Sequence, residues 1–319
     1  TVPIERKYLT FQNANLDTFT TFYRFHQHEM PRLLRSLAIP AEFRLDNGSW
    51  VNGQEALMVM LRLLAYPLRY LDVEEAFGWE TSRLCRIKVM MIKWVYSNHK
   101  HRVRDYLHWH IRYIQQSKQA MQRKKLVMSG NNHLPQRSRN VAWVIDGFRV
   151  RVSRPLGGEN EVNTQALVYN KWVKAHNILF QNVTSPYGLI VDFSGPYLGK
   201  DNDLVALRDS DILDRFRLAL IAAGLDPADY DMLGDKLYVN AQNICRLYKE
   251  PMNDQARIDN VIDSSVRTCV EWSNNCISSR WMSLAFKRKL QIQLSDVTKQ
   301  VVVGAILTNA YTLLHGCQT

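Results

Sequence analysis

The sequence lacks the features that mark several protein classes. Its five cysteines form no CxxC pair and their number is odd, which argues against a zinc ribbon and a disulfide framework, so we expect buried thiols in a reducing compartment. The longest apolar runs, such as residues 301–307, are too short to span a bilayer, and no secretory leader or internal repeat is visible. These absences indicate a globular protein without a membrane partner, long enough for one large or two modest domains.

Positive charge is concentrated in the first half of the chain. Residues 1–140 hold 22 Lys and Arg against 11 Asp and Glu, whereas residues 141–319 hold 19 of each, so the whole net charge of +11 lies before residue 141. Such an asymmetry predicts a nucleic-acid-binding half joined to a half with another task. The alternative is a basic face that is merely solvated.

The N-terminal region is predicted to be helical, with the order of a helix-turn-helix. An apolar helix covers residues 56–65 before Pro67, a short helix covers 71–77 before Gly78, and a longer helix covers 83–96 with Thr81 or Ser82 as its cap. In a helix-turn-helix the start of the second helix faces base edges. The alternative is an ordinary three-helix bundle. The predicted DNA contacts on this helix are Ser82, Arg83, Arg86 and Lys93.

Residues 99–125 form the most basic stretch, in which only Asp105 opposes the cations and three aromatic residues are interleaved. This composition suits contact with a nucleic-acid backbone. The histidines spaced two apart, 99/101 and 108/110, suggest a metal site as an alternative, which is disfavoured because helical residues two apart point in different directions. The predicted backbone contacts here are Arg123, Lys124 and Lys125. Residues 128–140 are loop by composition, so we predict domains at 1–127 and 141–319 with 128–140 as linker.

The second half of the chain has a mixed α/β pattern. Apolar runs and strict alternation predict strands, and longer periodic segments predict helices. Three strands, a helix, a fourth strand and two helices are predicted in turn over residues 141–152, 176–183, 188–193, 203–223, 230–235, 255–285 and 294–315. This order predicts a mixed α/β domain.

Four acidic residues in this domain have the distribution of a metal-dependent nuclease site. Asp146 and Asp235 each end a predicted strand, Glu271 lies on a helix four residues after Arg267, and Asp203 begins another helix, where it would alternatively act as a cap. Phosphodiester hydrolysis by two divalent ions about 3.5–4 Å apart requires carboxylates from separate parts of the chain. By itself the pattern is weak, because the chain holds 30 acidic residues and most acids are solvated.

Five motifs in this half resemble those of the Harbinger (PIF) transposase family and its host-domesticated nuclease relatives. The 35 residues between Asp235 and Glu271 match the spacing of the family's second Asp and its Glu. The motifs are Ile145-Asp146-Gly147-Phe148, residues 169–181, residues 199–204, Leu233-Gly234-Asp235-Lys236-Leu237-Tyr238 and Arg267-Thr268-Cys269-Val270-Glu271.

The resemblance implies an RNase H-like nuclease domain that binds Mg²⁺ or Mn²⁺, with two ions expected, and cuts DNA at the ends of an element. It implies a catalytic triad of Asp146, Asp235 and Glu271, with Asp203 as a fourth carboxylate. It also places Lys174, His176 and Arg267 near the scissile phosphate; for the first two, the alternative is a strand-edge pair satisfied by water. Departures from the family's pattern at Phe148, at 202–204 and at Leu237 remove no carboxylate but leave a weakened or specialised enzyme open.

Two functions therefore compete. The first is an active endonuclease or transposase on double-stranded DNA, with strand transfer by the freed 3′-hydroxyl and, by resemblance, a Myb-like accessory protein and a homo-oligomer on DNA as partners. The second is a domesticated DNA- or protein-binding derivative that lost the chemistry; the four retained acids favour the first. A plain helix-turn-helix regulator does not explain the second half. A nuclear location is expected in a eukaryote, and a cytoplasmic one otherwise.

Overall fold

The computed structural model of the chain describes residues 10–156, 164–239 and 241–316. Its contacts form two compact units, one built from residues up to 100 together with 277–311, the other from residues 101–276 together with residue 312 onward. Most of the basic stretch, from residue 101 onward, thus clusters with the α/β region. The domain boundary at 128–140 stays a prediction of the sequence.

The first unit is mainly helical. Up to residue 100 its helices and short β-hairpin are α1 (Leu16–Tyr23), α2 (Met30–Ser36), β1 (Glu42–Arg44), β2 (Trp50–Asn52), α3 (Gly53–Ala65), α4 (Tyr70–Phe77) and α5 (Thr81–His99). The apolar helix α3 is capped by Asn52, whose side chain accepts the backbone N–H of Gln54, and it ends before Pro67 as predicted.

Helices α4 and α5 occur in the predicted order of short helix, turn and longer helix. Gly78 adopts the left-handed conformation that ends α4, with φ 66°. The predicted cap of α5 at Thr81 or Ser82 is wrong, because the cap is Glu80 and Thr81 already lies in the first turn. The hydroxyl of Thr81 donates instead to Glu74 Oε1 at 2.5 Å, which ties α5 to α4. Recognition of DNA by this helix pair stays a prediction.

The second unit has the mixed α/β order that the sequence predicts. Its elements are α6 (Leu107–Ile111), α7 (Ile114–Met128), β3 (Val141–Arg151), α8 (Thr164–Val168), β4 (Tyr169–Asn170), β5 (Ala175–Thr184), β6 (Ile190–Tyr197), α9 (Asp203–Asp209), α10 (Ile212–Ala222), β7 (Asp231–Gly234), β8 (Ile244–Arg246) and α11 (Asp254–Arg280). The helix predicted over 203–223 is divided into α9 and α10, because Asp211 adopts a positive φ of 53°. The short strand β8 was not predicted.

The strands of the second unit form one mixed sheet. β5 pairs antiparallel with β3 on one side and with β6 and β4 on the other, while β3, β7 and β8 run parallel. Trp143 of β3 packs on Phe216 of α10, with ring centroids 4.9 Å apart, whereas Val144 packs in a separate cluster with Val266 of α11. Helices thus cover both faces of β3, which explains its continuous apolar run.

A buried ion pair joins α7 to α11. Lys125 Nζ lies 2.8 Å from Asp263 Oδ1, both side chains are 0% exposed, and Nζ also donates to the carbonyl oxygen and the hydroxyl of Ser138. The prediction of Lys125 as a DNA contact is therefore wrong, because its ammonium is enclosed and fully used inside the unit. The pair fixes α7 against the helix that carries Glu271.

The last helix, α12 (Val297–His315), is long and apolar enough, by length and composition, to cross a membrane. In the part of the chain that the structure describes, however, 56% of its most apolar stretch is buried. Within the first unit, Gly304 allows α12 to approach Leu284, since an added Cβ would lie 2.5 Å from Leu284 Cδ1. Thr308 accepts the indole N–H of Trp281 at 3.1 Å. These contacts are those of a core helix.

Candidate active site

Asp146 lies in the middle of β3, so the prediction that it ends a strand is wrong, whereas Asp235 directly follows the neighbouring parallel strand β7. Val144 of β3 is opposite Leu233 of β7, and each acid follows its paired residue by two positions, Asp235 directly after the end of β7. Paired strands lie about 4.8 Å apart, and residues two positions apart point to the same face. The register therefore brings the two carboxylates to the same level of the sheet.

Asp203 lies in the first turn of α9 and is not its cap. The cap is Asn202, whose side chain accepts the backbone N–H of Val205 at 3.1 Å, so the alternative role of Asp203 as a helix cap is wrong. The Asp203 carboxylate lies over Gly147, where an added Cβ would come within 2.7 Å of Asp203 Cγ. The absence of a side chain at Gly147 is thus what lets α9 bring a third carboxylate against β3.

One face of α11 completes the cluster. Arg267, Glu271 and Asn274 have the four- and three-residue spacings that place side chains on one face of a helix. The guanidinium of Arg267 lies 3.4 Å from Asp146 Oδ1 and 3.7 Å from Glu271 Oε1. Asn274 Nδ2 donates to Asp146 Oδ2 at 3.2 Å. The helix therefore holds the Asp146 carboxylate through both of its oxygens.

The electrostatics of Asp146 show that the four carboxylates share one environment. Burial is the main cause that raises the pKa of Asp146 to about 7, and the Arg267 guanidinium opposes this shift. Three further carboxylates also raise this pKa, those of Asp203, Asp235 and Glu271. Negative charge is therefore costly at this position unless a cation compensates it.

The donor set fits a divalent cation. Carboxylate oxygens are the ligands that Mg²⁺ and Mn²⁺ prefer. Among the described residues, Asp203 Oδ1 is buried without a hydrogen-bond partner, and Arg149 Nη2 lies 3.6 Å from it. No three His, Cys, Asp or Glu side chains of the described residues already form a group that could hold an ion, and Arg267 lies between Asp146 and Glu271. The chemistry of the cluster thus suits a cation although its side chains are not pre-arranged around one.

Tyr238 is a member of the cluster that the sequence motif contains but to which it assigned no role. Its side chain is fully buried, and a Cβ on Gly234 would lie 2.6 Å from Tyr238 Cγ, which accounts for the glycine before Asp235. Burial raises the pKa of Tyr238 well above its usual value, and the nearby carboxylates add to the effect. The phenol is therefore a neutral group beside the acids.

Arg149 and Asn274 were missed by sequence reasoning. Arg149 donates to the backbone oxygens of Gly199 at 3.1 Å and Asp201 at 2.8 Å, and so fixes the segment that leads to Asp203. No sequence signal distinguishes Arg149 from the other polar residues of an alternating strand. For Asn274 a signal existed, since it lies seven residues after Arg267 on the same helical face.

Arg83 is turned inward in the first unit. Its two terminal nitrogens donate to Ser49 Oγ at 2.9 Å and to the carbonyl oxygen of Trp50 at 2.5 Å, and its guanidinium stacks 3.8 Å from the Trp79 ring. These contacts hold the guanidinium against the β-hairpin and Trp79, and base reading by Arg83 stays a prediction.

The remaining predicted DNA contacts lie at the surface. Arg86 forms an ion pair with the exposed Asp46 at 3.2 Å, and Lys124 donates to Thr268 Oγ1 at 3.2 Å. The others are exposed side chains: Ser82, Lys93 and Arg123. They stay predictions.

Lys174 and His176 lie far from Asp146 in the register of the sheet. Asp146 is paired with Asn182 of β5, and His176 is six residues earlier on that strand, which corresponds to about 20 Å at 3.3 Å per residue. Arg149 also links Asn177, the neighbour of His176, to Asp203, so contact of these two side chains with the scissile phosphate stays a prediction. Arg267, by contrast, is in the cluster itself.

Gly147→Ala is expected to lower nuclease activity by about 100-fold, because the new Cβ displaces the Asp203 carboxylate and a misplacement of about 1 Å has effects of that size. The measurement is the rate of DNA nicking beside the melting temperature. If displacement of Asp203 is the cause, adding Gly147→Ala to Asp203→Ala changes nothing further. Additive losses would contradict this explanation.

Comparison with known proteins identifies the second half of the chain. A family model described as DDE superfamily endonuclease matches residues 145–309, just over half of the sequence. No curated protein and no solved structure matches the chain significantly. The match begins one residue before Asp146 and includes Asp203, Asp235 and Glu271, so the whole acid cluster lies within it.

Proposed function

The chain belongs to the DDE superfamily endonucleases, which act on DNA and generally use divalent metal ions, and we propose that it is a Harbinger-type transposase nuclease. Its catalytic triad is Asp146, Asp235 and Glu271, with Asp203 as a fourth carboxylate. The single observation that carries this proposal is the convergence of acids from β3, β7, α9 and α11 around Asp146, whose pKa is raised to about 7 by burial and by the other acids.

Mg²⁺ or Mn²⁺, as two ions, is the cofactor that this donor set suits. Asp146, Asp203, Asp235 and Glu271 would hold it. When bound, such ions activate a water and stabilise charge on the leaving oxygen of the phosphodiester. Asp203 Oδ1 has no hydrogen-bond partner and the pKa of Asp146 is raised, and both observations support this assignment, because a bound cation would compensate each carboxylate.

The chain's own cations orient the acids. Arg267 bridges Asp146 and Glu271, and Asn274 holds the second oxygen of Asp146, so α11 sets the direction in which this carboxylate faces. Arg149 fixes the backbone before Asp203 through two carbonyl oxygens. Tyr238 stays protonated beside the acids and adds no charge.

Duplex DNA is the substrate. The excess of positive charge before residue 141 supports this, since Lys and Arg on phosphates release counterions and bind with steep salt dependence. Exposed Arg123 lies on α7, which packs against β3, the strand that carries Asp146. Element ends as target, strand transfer, a Myb-like helper protein and a homo-oligomer on DNA belong to the same proposal.

The test combines metal-dependent stability with nicking of supercoiled plasmid DNA by the full chain. At about 100 times its Kd, a metal adds about 2.7 kcal/mol of stability, which raises the melting temperature by roughly 4 °C for a protein of this size. We expect this rise with Mn²⁺, accompanied by nicked circles, and neither in EDTA. Wild-type protein that shows no shift and no nicking would favour the domesticated, non-enzymatic derivative.

A further inference from the structure

One aromatic side chain near the nuclease sheet is held almost entirely in solvent. Trp172, in the turn between β4 and β5, is 93% exposed. Neighbours in this turn, Lys171 and Lys174, are exposed as well, and residues 164–176 contain no acidic side chain. We refer to residues 171–174 as the hairpin tip.

The hairpin tip is a built structure. Asn170 is buried, and its side-chain oxygen accepts the backbone N–H groups of Trp172 at 3.0 Å and Val173 at 3.1 Å. Below the tip, the rings of Tyr169 and His176 pack with centroids 5.2 Å apart across the strand pair. The backbone that presents the indole is thus ordered before any partner binds, which reduces the entropic cost of binding.

The base of the tip is fastened to the segment that carries Asp203. The side-chain nitrogen of Asn170 donates to the carbonyl oxygen of Gly199 at 2.8 Å, and the same oxygen accepts from Arg149 at 3.1 Å. A side chain at Gly199 would collide with the carbonyl groups of Val168 and Asn177, so this close approach depends on the glycine. The tip and the acid cluster are therefore parts of one framework.

The chemistry of the tip fits nucleic acid. The indole of Trp172 and the partly exposed Val173, between two lysines, are too small for the contiguous apolar patch that marks a protein interface. Aromatic rings stack on bases, apolar side chains insert between base steps, and lysines pair with phosphates. Positive charge around one aromatic ring is complementary to a duplex with its stacked bases inside and its phosphates outside.

The register gives the distance from the cluster. Ala175 at the foot of the tip is seven residues from Asn182, the partner of Asp146, which corresponds to about 23 Å along β5. Duplex DNA rises about 3.4 Å per base pair. The tip therefore lies about seven base pairs from a phosphate held at Asp146.

We propose that the hairpin tip is a DNA wedge: Trp172 inserts between bases of the flanking duplex about seven base pairs from the cut, while Lys171 and Lys174 contact the phosphates beside it. This inference rests on the proposed nuclease function and adds to it a grip that positions the substrate. The indole unstacks a base step, and the lysines hold the backbone on either side.

The experiment uses a 40-base-pair duplex centred on a nick mapped in the plasmid assay, with 2-aminopurine six to eight base pairs from the nick. Full-length chains carrying Asp235→Asn bind without cutting. The variants are Trp172→Ala, Trp172→Phe and, as a matched control in the same unit, Met252→Ala, whose side chain is 97% exposed. Insertion unstacks the probe, so fluorescence should rise on binding and should not rise with Trp172→Ala.

We expect Trp172→Ala to bind about 10-fold more weakly, within the range for loss of one base–aromatic stack. In the cutting-competent chain it should raise KM and leave kcat nearly unchanged, because Trp172 lies away from the acids. Trp172→Phe should retain part of the fluorescence rise, and Met252→Ala should behave as wild type.

Two outcomes separate the wedge from the function on which it rests. Wild-type protein that nicks DNA while Trp172→Ala and Met252→Ala bind and unstack alike overturns the wedge alone. If Trp172→Ala binds more weakly but still gives the wild-type rise in 2-aminopurine fluorescence, insertion of the indole is overturned, because the probe then unstacks without it. Wild-type protein that neither binds nor nicks DNA overturns both proposals.

Discussion

Asp146→Asn is expected to lower metal-dependent nicking by more than about 100-fold while DNA affinity stays largely unchanged. Residues that only support a metal ligand contribute about 10–100-fold, and a residue that supplies the ligand oxygen contributes more. Asparagine keeps the shape of the side chain and its contact with Asn274 but carries no charge. The measurement is the nicking rate at saturating Mn²⁺ beside a binding isotherm. Unchanged nicking would remove Asp146 from the triad.

The other members of the cluster should behave as one unit with Asp146. Asp235→Asn and Glu271→Gln should each match the loss, and the triple variant should lose little more than one, because groups that act together are not additive. Asp203→Asn decides whether the fourth carboxylate takes part. Matched controls are Asp231→Asn on β7 and Asp209→Asn on α9, which lie on the same elements outside the cluster.

Asp146→Asn should also stabilise the metal-free fold at pH 8. The pKa of Asp146 is raised to about 7 in the fold, against about 3.9 in an unfolded chain, so ionisation of Asp146 lowers stability as the pH rises from about 4 to about 7. Asparagine has no ionisable proton in this pH range and shows no such loss. In EDTA the melting temperature of Asp146→Asn should therefore be higher than that of wild type at pH 8 and the same as that of wild type near pH 4. Lower stability of the variant than of wild type at pH 8 would contradict the raised pKa of Asp146 in the fold.

Lys125→Met is expected to lower the free energy of unfolding by about 3–5 kcal/mol, because it leaves the buried carboxylate of Asp263 without its cationic partner. Methionine has nearly the volume of lysine, so lost packing contributes little. Chemical denaturation measures the change. Activity should fall with the folded fraction, since α7 and α11 are joined at this point.

The double variant Lys125→Met with Asp263→Leu is the control for charge. It removes both ions together, and replacing a buried pair by apolar side chains is often neutral. It should therefore be more stable than Lys125→Met alone. Exposed Arg123→Ala, two residues earlier on the same helix, should leave stability nearly unchanged while weakening binding to all DNA sequences alike. Equal losses for the single and double variants would assign the effect to packing.

Much of the candidate site could be predicted because its signals are local. Asp146 and Asp235 each follow a short apolar run, and Arg267 and Glu271 have helical spacing, so their elements could be recognised from neighbouring residues. The motif with Gly234 and Tyr238 also lies within a few residues. For Lys174 and His176 the motif could not give the distance from Asp146, because that distance depends on strand register.

By itself, the sequence determined the order of helices and strands, the change from a basic half to a neutral α/β half, and the four acids on separate elements, because periodicity, caps and composition act over a few residues. Only the tertiary structure decided that Lys125 is buried while Arg123 is exposed, that Gly147 makes room for Asp203, and that the hairpin tip lies about 23 Å from Asp146 along β5. These features depend on helix packing and strand register, which join residues far apart in the chain and leave no local pattern.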